Sequence, residues 1–111
     1  RPGYDVIVDN VGRATWKQTL RLAGIGGRII TVGNTSGPLA ETDIRFIFTR
    51  QLSILGSTMG SHADFAAVLE LLAQGALKPL IHCELQLSEG GRGHKILERG
   101  EMFGKVVLRP D

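Results

Sequence analysis

Cysteine is nearly absent from this chain. Cys83 is the single copy among 111 residues, so no internal disulfide can form, and a reducing, cytoplasmic setting fits that usage. A strong charge of one sign is missing too: 13 Lys and Arg against 11 Asp and Glu leave a net charge of +2. The basic residues are scattered, with Arg13, Lys17, Arg21 and Arg28 the nearest thing to a cluster. Lys17 and Arg21, at helical spacing, read as a solvated helix face rather than a nucleic-acid footprint. No apolar run reaches the length of a membrane span. The opening Arg1-Pro2-Gly3-Tyr4-Asp5 carries no charged-then-apolar leader and no initiator methionine, and a strand follows almost at once. That opening suggests a piece of something longer.

Catalytic signatures are also lacking. Gly24-Ile25-Gly26-Gly27 fails the spacing of a dinucleotide fingerprint and sits between a helix and a strand, so it reads as a helix stop and turn. Gly100–Lys105 is too short for a phosphate loop and lacks the hydroxyl after its lysine. Gly56-Ser57-Thr58 is no nucleophile elbow, because the serine is not central between glycines. His62 and Asp64 suit the first turn of a helix, where the acid favours the dipole. His82 and Cys83 would face opposite ways on a strand, which argues against a shared metal. Cys83 reads as a small buried apolar residue. No catalytic residue and no metal ligand is assigned.

What is present is an ordinary globular composition, with 42% apolar and 22% charged residues, enough for one small domain with a core. Apolar runs alternate with helical patterns. Tyr4–Val11 reads as a buried strand, with Val6, Ile7 and Val8 continuous. Thr15 and Gln18 have capping-box spacing for a helix reaching about Ala23, stopped by Gly24. Arg28–Val32 is a second strand. Thr42 or Asp43 can cap a short helix over Ile44–Thr49, and Leu52–Leu55 is a third strand. A capped helix starts at Ser61, carries the stripe Phe65, Val68, Leu69 and Leu72, and ends at Gly75. This β-α-β-α-β-α order predicts a parallel α/β sheet. The character changes near Gly75–Pro79. Ile81, Cys83, Leu85 and Leu87 then alternate with polar residues as a strand covered on one face. A helix over Glu89–Arg99, weakened by Gly90, Gly91 and Gly93, precedes a last strand at Lys105–Leu108.

Each of the first three runs breaks off in a small, glycine-rich loop: Val11-Gly12, Val32-Gly33-Asn34 and Leu55-Gly56-Ser57. Ligands of open parallel sheets bind beyond the carboxyl ends of the strands. Tips without bulky side chains would leave room there for a large flat ligand. The bland alternative at Gly33–Gly37 is an ordinary turn before Pro38.

Several of these segments, taken in order, are familiar: Asp9-Asn10-Val11-Gly12, then Gly26–Gly37, then Leu55–Gly60, His94 with Leu97 and Gly100, and Gly104–Leu108. Together they resemble the carboxyl-terminal third of the medium-chain dehydrogenase/reductase superfamily. The zinc-type alcohol dehydrogenase-like and quinone oxidoreductase members are the nearest. The resemblance implies the second half of a doubly wound, Rossmann-like parallel sheet over residues 1–78. It implies a strand-helix-strand return to a GroES-like catalytic domain over residues 79–111. It places Val11, Gly12, Val32, Gly33, Asn34, Leu55, Gly56 and Ser57 against the nicotinamide half of NAD(P)H, with NADP favoured over NAD. It also implies a homodimer paired through the Leu52–Leu55 edge. The pyrophosphate loop, the residue that selects NAD or NADP and the zinc ligands of such enzymes are absent, so this segment is expected to bind no zinc and to be inactive alone. A non-catalytic dimerisation module and a self-contained nucleotide-binding module are the alternatives. No nucleic-acid or membrane partner is expected.

Overall fold

A computed structural model describes residues 3–110, and Arg1 and Pro2, part of the opening discussed above, lie outside them. The chain forms two compact units, one ending at Gly60 and the other beginning at Ser61.

The first unit is a three-stranded parallel sheet in the order β1-β2-β3. Its strands are β1 (Tyr4–Asp9), β2 (Ala23–Thr31) and β3 (Ser53–Gly56), connected through α1 (Arg13–Leu22) and α2 (Ile44–Thr49). The expected parallel α/β alternation is therefore present. Strand side chains alternate between faces. Ile29 is fully buried and packs with Leu20 of α1, with Ala23 at the start of β2 and with Leu52, while Ile7, Trp16, Phe46 and Ile47 close the same cluster. Burying a side chain such as Leu20 or Ile29 contributes about 1.5–3 kcal/mol. The opposite face is open. Val6 and Val8, expected to be buried with Ile7, are exposed, Val8 by 62%. Both helices pack on the Ile7 side, so of these three apolar residues only Ile7 is covered.

Two boundaries differ from the sequence reading. Helix α1 starts at Arg13 rather than at Thr15, with Gly12 as its N-cap at φ 87° and no side-chain cap. Thr15 does not close a capping box with Gln18; its hydroxyl turns to Asp9 instead. Strand β2 begins at Ala23, so the glycines read as helix stop and turn belong to the strand. A bulge opposes Ala23–Arg28 to Tyr4–Val6, with Gly26 at φ 71°. Helix α1 passes straight into β2 without a glycine cap because Arg50 supplies one. Its Nη1 donates to the carbonyls of Arg21 at 2.8 Å and Ala23 at 2.9 Å, and its guanidinium lies 4.9 Å from the Phe46 ring centre.

The second unit contains α3 (His62–Ala73), β4 (Ile81–Gln86), α4 (Gly90–Arg99) and β5 (Lys105–Arg109), with a single 3-10 turn over Leu87–Glu89. Helix α3 has the reciprocal Ser61–Asp64 capping box. Strands β4 and β5 are parallel, joined by α4. Gly93 is buried over Leu85, Val106 and Leu108, so the glycine-rich helix forms and packs. A Cβ at Gly93 would meet those side chains at 3.6–3.7 Å, ordinary contact distance. Gly93→Ala is therefore expected to stabilise the protein by about 0.5–1 kcal/mol, because alanine loses less backbone entropy in a helix. A raised urea midpoint checks this; a lowered one would show that α4 leaves no room for a methyl group.

Candidate functional site at the strand tips

The three strands of the first unit end in one row. Asp9 pairs with Thr31, and Thr31 pairs with Gly56. The loops that follow are tied to the neighbouring strand or loop. The Val32 amide donates to the Asp9 carbonyl at 3.0 Å, and the Ser57 amide to the Thr31 carbonyl at 3.1 Å. Ser36 donates twice to the Val11 carbonyl, through its amide at 2.8 Å and its hydroxyl at 2.6 Å. Thr35 adds a hydroxyl bond to the Asn10 carbonyl at 3.3 Å. The structure thus brings Val11, Gly12, Val32, Gly33, Asn34, Leu55, Gly56 and Ser57 to the same end of the sheet.

Glycine is required where the loops cross. A Cβ on Gly12 would meet the Gly37 carbonyl oxygen at 2.8 Å, and one on Gly33 would meet the Asn10 carbonyl oxygen at 2.9 Å. Gly56 is different: a Cβ there meets nothing within 4 Å, so the space above the tip of β3 is open. A cavity of about 250 Å³ lies on the α1 side of the tips, lined by Gly12, Trp16, Gly33, Asn34 and Thr42 among others. A larger groove of about 380 Å³ follows the exposed edge of β1 and is lined by Tyr4, Val6, Val8 and Leu22. That groove lies between the edge strand and α1, whose Thr15, Gln18 and Thr19 also line it.

The donors around Gly12 are already used. At the start of α1, the amide of Arg13 donates to the Gly37 carbonyl and that of Ala14 to the Ser36 hydroxyl. The amides of Thr15 and Trp16 donate to the Gly12 carbonyl. This helix end therefore offers no spare amides for a phosphate, although helix starts are common phosphate sites. Among the described residues, the Val32 carbonyl and both backbone groups of Gly33 have no protein hydrogen-bond partner. These exposed groups are the free polar surface of the shelf.

Asp9 is the residue that the sequence reading left without a role. It is 4% exposed, at the last position of β1. Its Oδ1 accepts from the amides of Val11 at 3.0 Å and Gly12 at 2.9 Å. Its Oδ2 accepts from the hydroxyls of Thr15 and Thr19, both at 2.8 Å. Burial pushes its pKa up, but the Gly12 amide, the Thr19 and Thr15 hydroxyls and the Val11 amide outweigh that and hold it below the ordinary aspartate value. The signal in the sequence was an acid closing an apolar run, just ahead of a glycine.

A nicotinamide ring fits such a shelf by its chemistry: a flat group needs glycine-lined space and a few exposed backbone groups, and both are present at Gly33 and Gly56. Zinc does not fit. Among the described residues no three His, Cys, Asp or Glu side chains gather, and Cys83 is a free, half-buried thiol.

A family model described as zinc-binding dehydrogenase matches residues 1–108. The chain belongs to this family. The resemblance to the medium-chain dehydrogenase/reductases is thereby upheld. The acryloyl-coenzyme A reductase of Metallosphaera sedula is 29% identical over 106 residues, covering 94% of this chain and 32% of the relative. A thermostable alcohol dehydrogenase from Pyrobaculum aerophilum superposes with a TM-score of 0.87 at 32% identity, covering 98% of this chain and 33% of that one. A 2-octenoyl-CoA carboxylase reductase, solved with NADP and 2-octenoyl-CoA, has a TM-score of 0.84 at 27% identity, covering 94% of this chain and 23% of that one. The chain thus spans about a third of the curated relatives it matches. No helix among its described residues is long and apolar enough to cross a membrane.

The lowered pKa gives Asp9 a defined pH signature. Its ionised form contributes stability that is complete above about pH 4 and is lost as the pH falls through the depressed native value. At neutral pH Asp9→Ala is expected to cost about 3 kcal/mol, from the loss of charge-assisted bonds and the stranding of buried partners. The gap between wild type and Asp9→Asn in unfolding free energy should hold from pH 6 to about pH 4 and shrink below that, towards pH 2. A gap that stays constant over that range would contradict this.

Proposed function

We propose that this chain supplies the nicotinamide-side wall of the cofactor cleft in an oxidoreductase that moves hydride between NAD(P)H and a carbonyl, quinone or activated alkene. Val11, Gly12, Val32, Gly33, Asn34, Leu55, Gly56 and Ser57 form that wall. The bound nicotinamide supplies or accepts the hydride, and the protein holds it in place. The supporting observation is the row Asp9–Thr31–Gly56, from which three short loops leave side by side with glycines at their closest approaches. The Val32 carbonyl and the Gly33 backbone are the groups this chain offers to the ring's carboxamide. NADP is the preferred form, and a reducing cytoplasm the setting. Residues 1–78 are the second half of a Rossmann-like sheet, and residues 79–111 return to a GroES-like catalytic domain. The open face beside Val6 and Val8 supports that division, because an exposed apolar sheet face needs cover. With the phosphate loop missing, the chain alone binds cofactor weakly and turns over no substrate.

A second reading concerns assembly. The outer edge of β3 has no partner among the described residues, and Ile54 and Leu55 are exposed. An unpaired apolar edge is a template for another strand, so the Leu52–Leu55 segment pairs with a second copy of the protein. Light scattering should give a dimer mass; a monomer at high concentration would remove this reading.

Gly56 provides the sharpest test of the cofactor wall. Its Cβ direction is open and its φ is not in the left-handed region, so Gly56→Val should leave the unfolding temperature nearly unchanged. The new side chain would occupy the shelf and weaken NAD(P)H binding by about tenfold, equivalent to about 1.4 kcal/mol. Amide shifts in an NADPH titration should cluster at Val32–Asn34 and Leu55–Ser57. Unchanged affinity in Gly56→Val, or shifts confined to other segments, would refute the proposal.

A further inference from the structure

We infer that Asp9 is a positioning residue for the cofactor: its carboxylate sets where the first loop stands, and its own carbonyl sets where the second begins. The inference rests on the cofactor-wall reading above. Three links carry it. First, Oδ1 accepts from both the Val11 and Gly12 amides, which fixes the turn that brings Gly12 to φ 87°. Second, the Asp9 carbonyl accepts from the Val32 amide, so one residue anchors the start of both loops. Third, the Val11 carbonyl, held by that turn, accepts two bonds from Ser36, whose hydroxyl also takes the Ala14 amide. Displacing the Asp9 acceptor therefore shifts Val11, and with it the loop that carries Gly33 and Asn34. The carboxylate itself is buried beneath Thr15 and Thr19 and acts through the loops alone.

The mechanism depends on an acceptor at Oδ1 rather than on charge. In Asp9→Asn, the amide oxygen can still accept from Val11 and Gly12, while the amide nitrogen faces the Thr15 and Thr19 hydroxyls, which can turn to accept. Asp9→Ala has no acceptor at all. Arg50→Ala serves as the structural control, since it removes the cap at the far end of α1 and leaves the tips intact.

The test is NADPH binding by the full chain, followed by amide shifts, for wild type and the three variants, with amide hydrogen exchange on the unliganded proteins. Asp9→Ala should weaken binding by about tenfold or more, since small misplacements at a binding site cost that much. Asp9→Asn should stay within about threefold of wild type. Arg50→Ala should lose stability with affinity unchanged. In the unmutated chain the Val11 and Gly12 amides should be protected from exchange, a readout available even if Asp9→Ala does not fold. Wild-type affinity in a folded Asp9→Ala, an equal loss in Arg50→Ala, or unprotected Val11 and Gly12 amides in wild type would overturn the inference. Protected amides in a chain that shows no NADPH shifts would instead refute the cofactor wall and leave the anchoring by Asp9 standing.

Discussion

One buried carboxylate organises the end of this sheet. Asp9 closes β1, and the first two loops at the strand tips both start from it. Burial opposes its charge, and two amides and two hydroxyls more than compensate. A buried charge is tolerated only when its lone pairs are taken up. Here the groups that take them up are the turn before α1 and the first two turns of that helix. The same contacts that satisfy Asp9 therefore fix α1 on the sheet, and α1 contributes Leu20 to the core. Local electrostatics and core packing are coupled at this one position.

The sheet is finished on one side only. Ile7 and Ile29 face α1 and α2, while Val6 and Val8 face outward without cover from the unit's own helices. The edge of β1 and the edge of β3 are both unpaired among the described residues. A parallel sheet is normally covered on both faces. The acryloyl-coenzyme A reductase and quinone oxidoreductase relatives are about three times as long as this chain, and the proposed division would cover that open face. On the proposed reading, the glycines of the tips and the valines of the open face are two consequences of one plan: close loops for a flat ligand, and an apolar surface for the rest of a larger domain.

Periodicity made the strands and helices readable. Short β-branched runs ending in glycine mark β1 to β3, and the capping pairs at Asp43 and Ser61 set the starts of α2 and α3 where the structure has them. The glycine-rich tips were legible for the same reason. Three features were not. The start of β2 was hidden because Gly24, Gly26 and Gly27 usually stop structure, whereas here they permit a bulge and the close approach of Gly3 to Gly24. The start of α1 was misplaced because Thr15 has the spacing of a cap but is recruited by Asp9 through tertiary contact. Asp9 itself was invisible as an anchor, since its partners at Thr15 and Thr19 converge on it only once α1 lies against β1.

A crystal structure of the protein with NADPH is the most direct measurement of the shared shelf. The account predicts the nicotinamide ring against the backbone of Gly33 and Gly56, with Val11 and Gly12 held as here by Asp9. A cofactor bound along the β1 groove, or tips that part from one another when it binds, would contradict it.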